Sequence, residues 1–185
     1  MRIIAGSARG RTFEAPKGMD TRPTLDRVRE NVFNILQMKV RGAQVLDLFS
    51  GSGAMAFEAV SRGAEGAALV DCDRSAHSVQ CQNAQKLGMA PKCRILHCDW
   101  QLALHQLAGR GERFDVVFLD PPYKMHDMTP VLQALSAVLA EGAVIVLEHE
   151  AKVFPATPDG YELYDSRKYG VAGVSFFRRW IEEAE

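Results

Sequence analysis

From Gln44 onward, five short apolar runs alternate with stretches of helical periodicity, and few folds accommodate that alternation. The runs cover residues 45–49, 67–70, 94–97, 116–119 and 143–147, and helical spacing opens after them at Ala54, Ser75, Trp100 and Thr129. Strands that are apolar on both faces and joined by helical crossovers predict a doubly wound α/β fold, a Rossmann-like and mostly parallel sheet with helices on both sides. The C-terminal end breaks the pattern. Residues 161–165 and 174–180 flank Lys168-Tyr169-Gly170 with no room for a helix, which predicts an antiparallel hairpin closing one edge of the sheet.

A different segment precedes the alternation. Residues 2–6 and 11–14 surround a Gly-bearing loop and predict a small β-hairpin, residues 16–23 read as a loop, and Thr24 is the expected N-cap of a helix running to about Met38. Leu25, Val28, Val32, Ile35 and Leu36 mark its apolar face. The expected organisation is a short extension over residues 1–42 and an α/β domain over residues 43–185. A chain of 185 residues, 47% hydrophobic and 24% charged, excludes disorder and a disulfide scaffold. Its longest purely apolar runs, about five residues, exclude a spanning helix, which needs about 20. Cys72, Cys81, Cys93 and Cys98 form no CxxC pair, and the five histidines show no metal-ligand spacing, so free thiols, no metal and a cytoplasmic location are expected. A monomer without membrane contact is the default.

The chemistry gathers at the strand ends. Asp47-x-Phe49-x-Gly51-x-Gly53 joins a strand to a helix through a tight glycine turn, where backbone approaches a ligand closely and the helix offers free N–H groups. With Ala56 three residues after Gly53, a loose dinucleotide fingerprint is also satisfied, so an NAD-dependent oxidoreductase is an alternative. Asp47 favours a nucleoside ligand without a pyrophosphate. A carboxylate there reaches an ammonium group or orders the glycine loop, and would repel a diphosphate. Asp71, 20 residues after Gly51, stands where an acid accepts from ribose hydroxyls, with Asp73 close by. Asp99 either accepts from an adenine amino group or caps the helix opening at Trp100.

The fourth run ends in Asp120-Pro121-Pro122-Tyr123. Two prolines stop a strand sharply and free carbonyls at its tip. Asp120 and a backbone carbonyl then suit the two hydrogens of a planar amine, with Tyr123 stacking on its ring. Accepting both hydrogens withdraws the nitrogen lone pair from conjugation and stabilises the positive nitrogen of a methyl-transfer transition state. The alternative is a plain strand-exit turn.

These motifs, in this order, resemble the S-adenosylmethionine-dependent amino methyltransferases of class I. Arg2-Ile-Ile-Ala-Gly6, Arg9-Gly-Arg11 and the stretch from Thr21 to Leu36, with Arg22-Pro-Thr24 and Asp26-Arg-Val-Arg-Glu30, narrow the resemblance to the RsmD family, which methylates the N2 amine of a guanine in bacterial small-subunit ribosomal RNA. The resemblance spans essentially the whole chain. It implies that Arg22 and Thr24 fold over S-adenosylmethionine, that Asp47, Phe49, Gly51, Gly53, Asp71 or Asp73, Asp99 and Trp100 hold it, and that Asp120 to Tyr123 hold the base. Asp71-Cys72-Asp73 departs from the family, which more often has Glu at the ribose position.

Charge supports a polyanionic partner. Residues 1–42 hold nine Lys/Arg against four Asp/Glu, whereas the rest of the chain is acidic. Arg9, Arg11, Lys17, Arg27 and Arg29 are the expected phosphate contacts, with Arg27 and Arg29 alternatively paired to Glu30 or Asp26, and Lys168 in the C-terminal turn a further candidate. The expected partner is small-subunit ribosomal RNA, free or in the assembling subunit. A DNA adenine or cytosine amino methyltransferase is the close alternative, and a non-catalytic RNA-binding relative a more distant one.

Overall fold

Each apolar run becomes a strand of one seven-stranded sheet, in the order β3-β2-β1-β4-β5-β7-β6. The computed structural model describes residues 1–16, 23–122 and 124–180. Strands β1 (Gln44–Asp47), β2 (Gly66–Asp71), β3 (Cys93–His97), β4 (Phe114–Leu119) and β5 (Leu139–Glu150) are parallel. β6 (Tyr161–Tyr169) and β7 (Ala172–Arg179) form the expected antiparallel hairpin, and β7 inserts between β5 and β6. The hairpin and β5 are longer than the apolar runs, because their outer residues are polar and exposed yet still paired. The chain runs outward from β1 to β3 and then returns to β4, so the strand order reverses between β1 and β4. In open α/β sheets, ligands bind beyond the carboxyl ends of the strands at such a reversal.

Both faces are covered. α1 (Pro23–Ile35), α3 (Ala54–Ser61) and α4 (Arg74–Leu87) bury Val28, Val32, Phe57, Val60 and Leu87 on one face with Phe118 and Val146. On the other face, α5 (Trp100–Gly109) and α6 (Thr129–Leu135) pack Leu104, Leu107, Val131 and Leu132 against Leu119 and Leu147.

The N-terminal third departs from expectation in two places. α1 begins at Pro23, which places Thr24 inside the helix and not at its cap, and a break at Leu36 separates α1 from α2 (Gln37–Val40). Proline at the first helical position has a fixed φ already suited to the helix, so the start shifts forward. The expected hairpin forms as a short one, with an antiparallel bridge between Arg2 and Thr12 and with Ile3, Gly10 and Phe13 N–H donating across it to the carbonyls of Arg11, Ile3 and Met1. Amides nearer its loop have other partners: Ile4 and Ala5 donate to the carboxylate of Glu58 at 2.8 and 3.0 Å, and Ser7 and Ala8 donate to the carbonyl and hydroxyl of Ser61 at 2.8 and 3.0 Å. Gly6 permits this approach, since with φ +85° a Cβ there would lie 1.9 Å from the Ser61 carbonyl oxygen.

Glu58 is fully buried and also accepts from Arg62 Nε at 2.7 Å, with Arg29 Nε at 3.8 Å. A buried carboxylate is tolerated only when paired and hydrogen-bonded, and here its partners come from the N-terminal segment, α1 and α3. Glu58→Ala removes all of them at once. We expect it to lower the unfolding free energy by about 3 kcal/mol, read from the urea midpoint, and to speed hydrogen exchange at the Ile4 and Ala5 amides before the sheet opens.

Candidate active site

The glycine turn after β1 is held from three sides. Asp71 Oδ2 accepts from Gly51 N–H at 2.8 Å, Gln80 on α4 donates to the Gly51 carbonyl at 2.7 Å, and Asn83 donates to the Ser52 carbonyl at 3.2 Å. Gly53 has φ +81°, and a Cβ there would meet the ring of Phe57 at 2.5 Å, so the turn needs glycine at that position. Asn83 also exchanges hydrogen bonds with the Glu14 backbone, both at 2.9 Å, which ties the N-terminal segment to the same turn.

The acids of the strand ends fall into two groups. Asp71, Asp73 and Asp99 are satisfied by backbone N–H groups. The second oxygen of Asp71 accepts from Asp73 N–H at 2.9 Å, Asp73 caps α4 through Ala76 N–H at 2.8 Å, and Asp99 caps α5 through Leu102 N–H at 2.8 Å. Each carboxylate oxygen keeps a further lone pair for a ligand. The helix-cap reading of Asp99 is therefore realised in the structure. Trp100 is partly buried beside it at the start of α5.

Asp47, Asp120 and Glu148 form the second group, and all three line a cavity of about 110 Å³ under α1, with Phe49, Val28 and Val174 among its walls. Asp47 is 2% exposed and, among the described residues, accepts only from Ala56 N–H, at 3.2 Å. Burial pushes its carboxyl up to about 8, with smaller contributions from the charges of Asp120 and Asp71. Asp120 keeps contact with solvent at the mouth of the recess, yet the protein around it pushes its carboxyl up to about 6. Glu148, near the end of β5, is pushed up to about 7 by burial and by Asp120. A second cavity, of about 380 Å³, opens on the far side of Asp120 and Glu148 and is lined by Pro121, Pro122, Met125 and Val171. The two cavities share those two acids. β4 ends at Leu119 as the prolines require, and Met125 N–H closes the following turn on the Pro122 carbonyl at 2.8 Å.

Other expected site residues fall differently. Lys17, Arg22 and Tyr123 lie outside the described residues. Arg29 is not a phosphate contact: it is 4% exposed, and its guanidinium donates to Asp26 at 3.0 Å and to the Arg2 carbonyl at 2.7 Å and lines the first cavity. Arg11 donates to the carbonyls of Lys86 and Leu87, where it closes the C-terminal end of α4. Arg9, Arg27 and Lys168 are exposed. Sequence reasoning passed over Glu58, Gln80, Asn83 and Glu148. The last had a readable signal, because it follows the fifth apolar run as Asp120 follows the fourth.

A family model described as "Conserved hypothetical protein 95" matches residues 1–178. The chain belongs to this family, the RsmD family. It is 36% identical to Ribosomal RNA small subunit methyltransferase D of Escherichia coli K12, over 100% of this chain and 91% of that one. It is 36% identical to the YlbH protein of Bacillus subtilis strain 168, over 97% and 99%. The solved yhhF protein of Escherichia coli superposes with a TM-score of 0.84 at 31% identity, covering 97% of both chains. The fold is the Rossmann-like fold of the methyltransferases.

The raised carboxyls have a consequence for the ligand-free RsmD-family protein. Unfolded, Asp47 gives up its proton near 4, and folded only near 8, so between those values the folded state holds an extra proton and loses stability as pH rises. Asp120 and Glu148 act in the same direction up to about 6 and 7. The melting temperature without ligand is expected to fall from pH 5 to pH 8. Asp47→Asn, which cannot ionise, should flatten that fall; an equally steep fall in the variant would contradict the assignment.

Proposed function

We infer that this protein transfers a methyl group from S-adenosylmethionine to the exocyclic N2 amine of a guanine in small-subunit ribosomal RNA. The carrying observation is the pairing of Asp120-Pro121-Pro122 at the tip of β4 with a second acid-lined cavity beyond it, next to the reversal point of the sheet. Membership in a family that includes Ribosomal RNA small subunit methyltransferase D supports RNA as the substrate.

The donor set fits the cofactor. Asp47 is a buried carboxyl with no cation against it among the described residues, and the ammonium of the methionine part would supply one. Asp71 is the better ribose acceptor by position, since it ends β2 and braces the Gly51 turn, whereas Asp73 lies two residues further on as the cap of α4. Phe49 flanks the cofactor beside the first cavity, Gly53 keeps the turn tight, and Asp99 with Trp100 borders the adenine side. Arg22 and Thr24, by resemblance, close over it.

When bound, the cofactor supplies an electrophilic methyl group. Asp120 and the Pro121 carbonyl accept the two hydrogens of the guanine amine, which turns its lone pair out of conjugation and orients it for attack. As the nitrogen becomes positive, the Asp120 carboxylate stabilises the charge and then takes the proton. Tyr123 stacks on the base. A paired guanine is out of reach, so the substrate is an unpaired or flipped nucleotide. Arg9, Arg27 and Lys168 supply exposed positive charge toward the RNA backbone, with Lys17 beside them in sequence.

The test is methyl transfer from labelled S-adenosylmethionine to naked ribosomal RNA and to assembled small subunits, with duplex DNA alongside, followed by mass analysis of the nucleosides. Label is expected in N2-methylguanosine; label in another nucleoside, or in DNA, would contradict the reading. Asp120→Ala should keep cofactor binding and lose turnover by about 10²- to 10³-fold. Arg9→Ser combined with Arg27→Ser should reduce the slope of log affinity against log salt by about one to two, measured by RNA binding, and leave cofactor affinity unchanged.

A further inference from the structure

We propose that Glu148 reads the base: its carboxylate accepts the N1–H of the target guanine while Asp120 and the Pro121 carbonyl hold the neighbouring N2 amine. The proposal rests on the guanine-N2 reading above and adds the residue that would select guanine over other amine-bearing bases.

The geometry begins with the register. Leu119 of β4 lies opposite Leu147 of β5, so the next residues, Asp120 just past the end of β4 and Glu148 within β5, stand side by side on neighbouring parallel strands about 4.8 Å apart. Alternation sets their direction. Phe118 and Val146 belong to the core under α1, Leu119 and Leu147 to the opposite core, and Asp120 and Glu148 return to the α1 side. There both line the first cavity, and both also line the second, so they form the boundary across which a bound cofactor and a bound base would meet. The apolar surfaces of Pro122, Met125 and Val171 give the second cavity walls suited to a flat ring.

Two adjacent carboxyls that face one recess repel each other, and a ligand with a contiguous row of donors relieves them. Guanine presents such a row, N1–H followed by the two hydrogens of N2. Adenine and cytosine carry a bare ring nitrogen beside their amine, and that lone pair would face the Glu148 carboxylate. Two other acids lie nearby among the described residues: Asp47 is buried against α3 and bonded to Ala56 N–H, and Glu150, which ends β5 at the second cavity, is exposed.

The variant Glu148→Gln separates this role from a merely structural one, because a Gln amide can donate to an unprotonated ring nitrogen. The target position, mapped first in the wild-type product, is rebuilt by splinted ligation with guanine or with 2-aminopurine, which keeps the attacking amine and lacks N1–H. Wild-type protein should favour guanine. Glu148→Gln should lower kcat/KM on guanine by about 10- to 100-fold and narrow the ratio of guanine to 2-aminopurine by at least about tenfold. Glu148→Ala should lose guanine activity equally and gain nothing on 2-aminopurine. S-adenosylhomocysteine titration and thermal melting confirm that both variants are folded. Equal losses on both substrates in Glu148→Gln, or unchanged guanine activity in either variant, would overturn the proposal. Wild-type protein that makes no N2-methylguanosine would instead fail the underlying reading, whatever the variants do.

Discussion

The buried carboxylate of Glu58 fixes where the first third of the chain can lie. It sits on a helix packed flat on the sheet, and satisfying it recruits two amides from the N-terminal segment and the guanidinium groups of Arg29 and Arg62. Leaving that charge unpaired would cost several kcal/mol, so the short N-terminal hairpin turns the amides of Ile4 and Ala5 to it while its arms stay paired. Asn83 and Ser61 extend the same arrangement toward the glycine turn and the end of α3. The result is a wall. Met1, Ala15 and Val28 stand over the ends of β1 and β4 and turn an open sheet edge into a recess.

Along that edge, five strands end in or beside an acid, and their surroundings divide the labour. Asp71, Asp73 and Asp99 accept backbone N–H groups and lie toward solvent, as suits hydrogen bonds to a neutral nucleoside. Asp47, Asp120 and Glu148 line the recess, Asp120 at its open mouth, and their proton affinity is raised. Groups of that kind are stabilised by donors and cations brought by ligands. The methyl donor brings an ammonium, and the base brings N–H groups.

Much of this was legible in the chain. The alternation of apolar runs and helical spacing placed all five parallel strands and the C-terminal hairpin, because strands buried on both faces carry their signal locally. Asp47, the glycine turn, Asp71 and Asp120-Pro121-Pro122 were readable for the same reason, since each sits at a strand end that the pattern locates. The attachment of the N-terminal hairpin to α3 was not, because the acceptor for its Ile4 and Ala5 amides is a carboxylate some 50 residues away that looks in sequence like one acid in an apolar helix. For Arg29 the alternative of pairing with Asp26 held over the phosphate contact, and only the fold reveals its burial against Glu58. Glu148 needed only the strand-end rule carried one strand further.

The central claim is that one recess, bounded by the two groups of acids, holds the nucleoside at Asp71 and delivers the methyl group at Asp120. A crystal structure with S-adenosylhomocysteine tests it most directly. The account predicts the ribose hydroxyls on Asp71, the amino group of the methionine part within hydrogen-bond reach of Asp47, and the sulfur facing Asp120 and Glu148. A ligand whose ribose lies away from Asp71, or whose sulfur points away from Asp120, would contradict it.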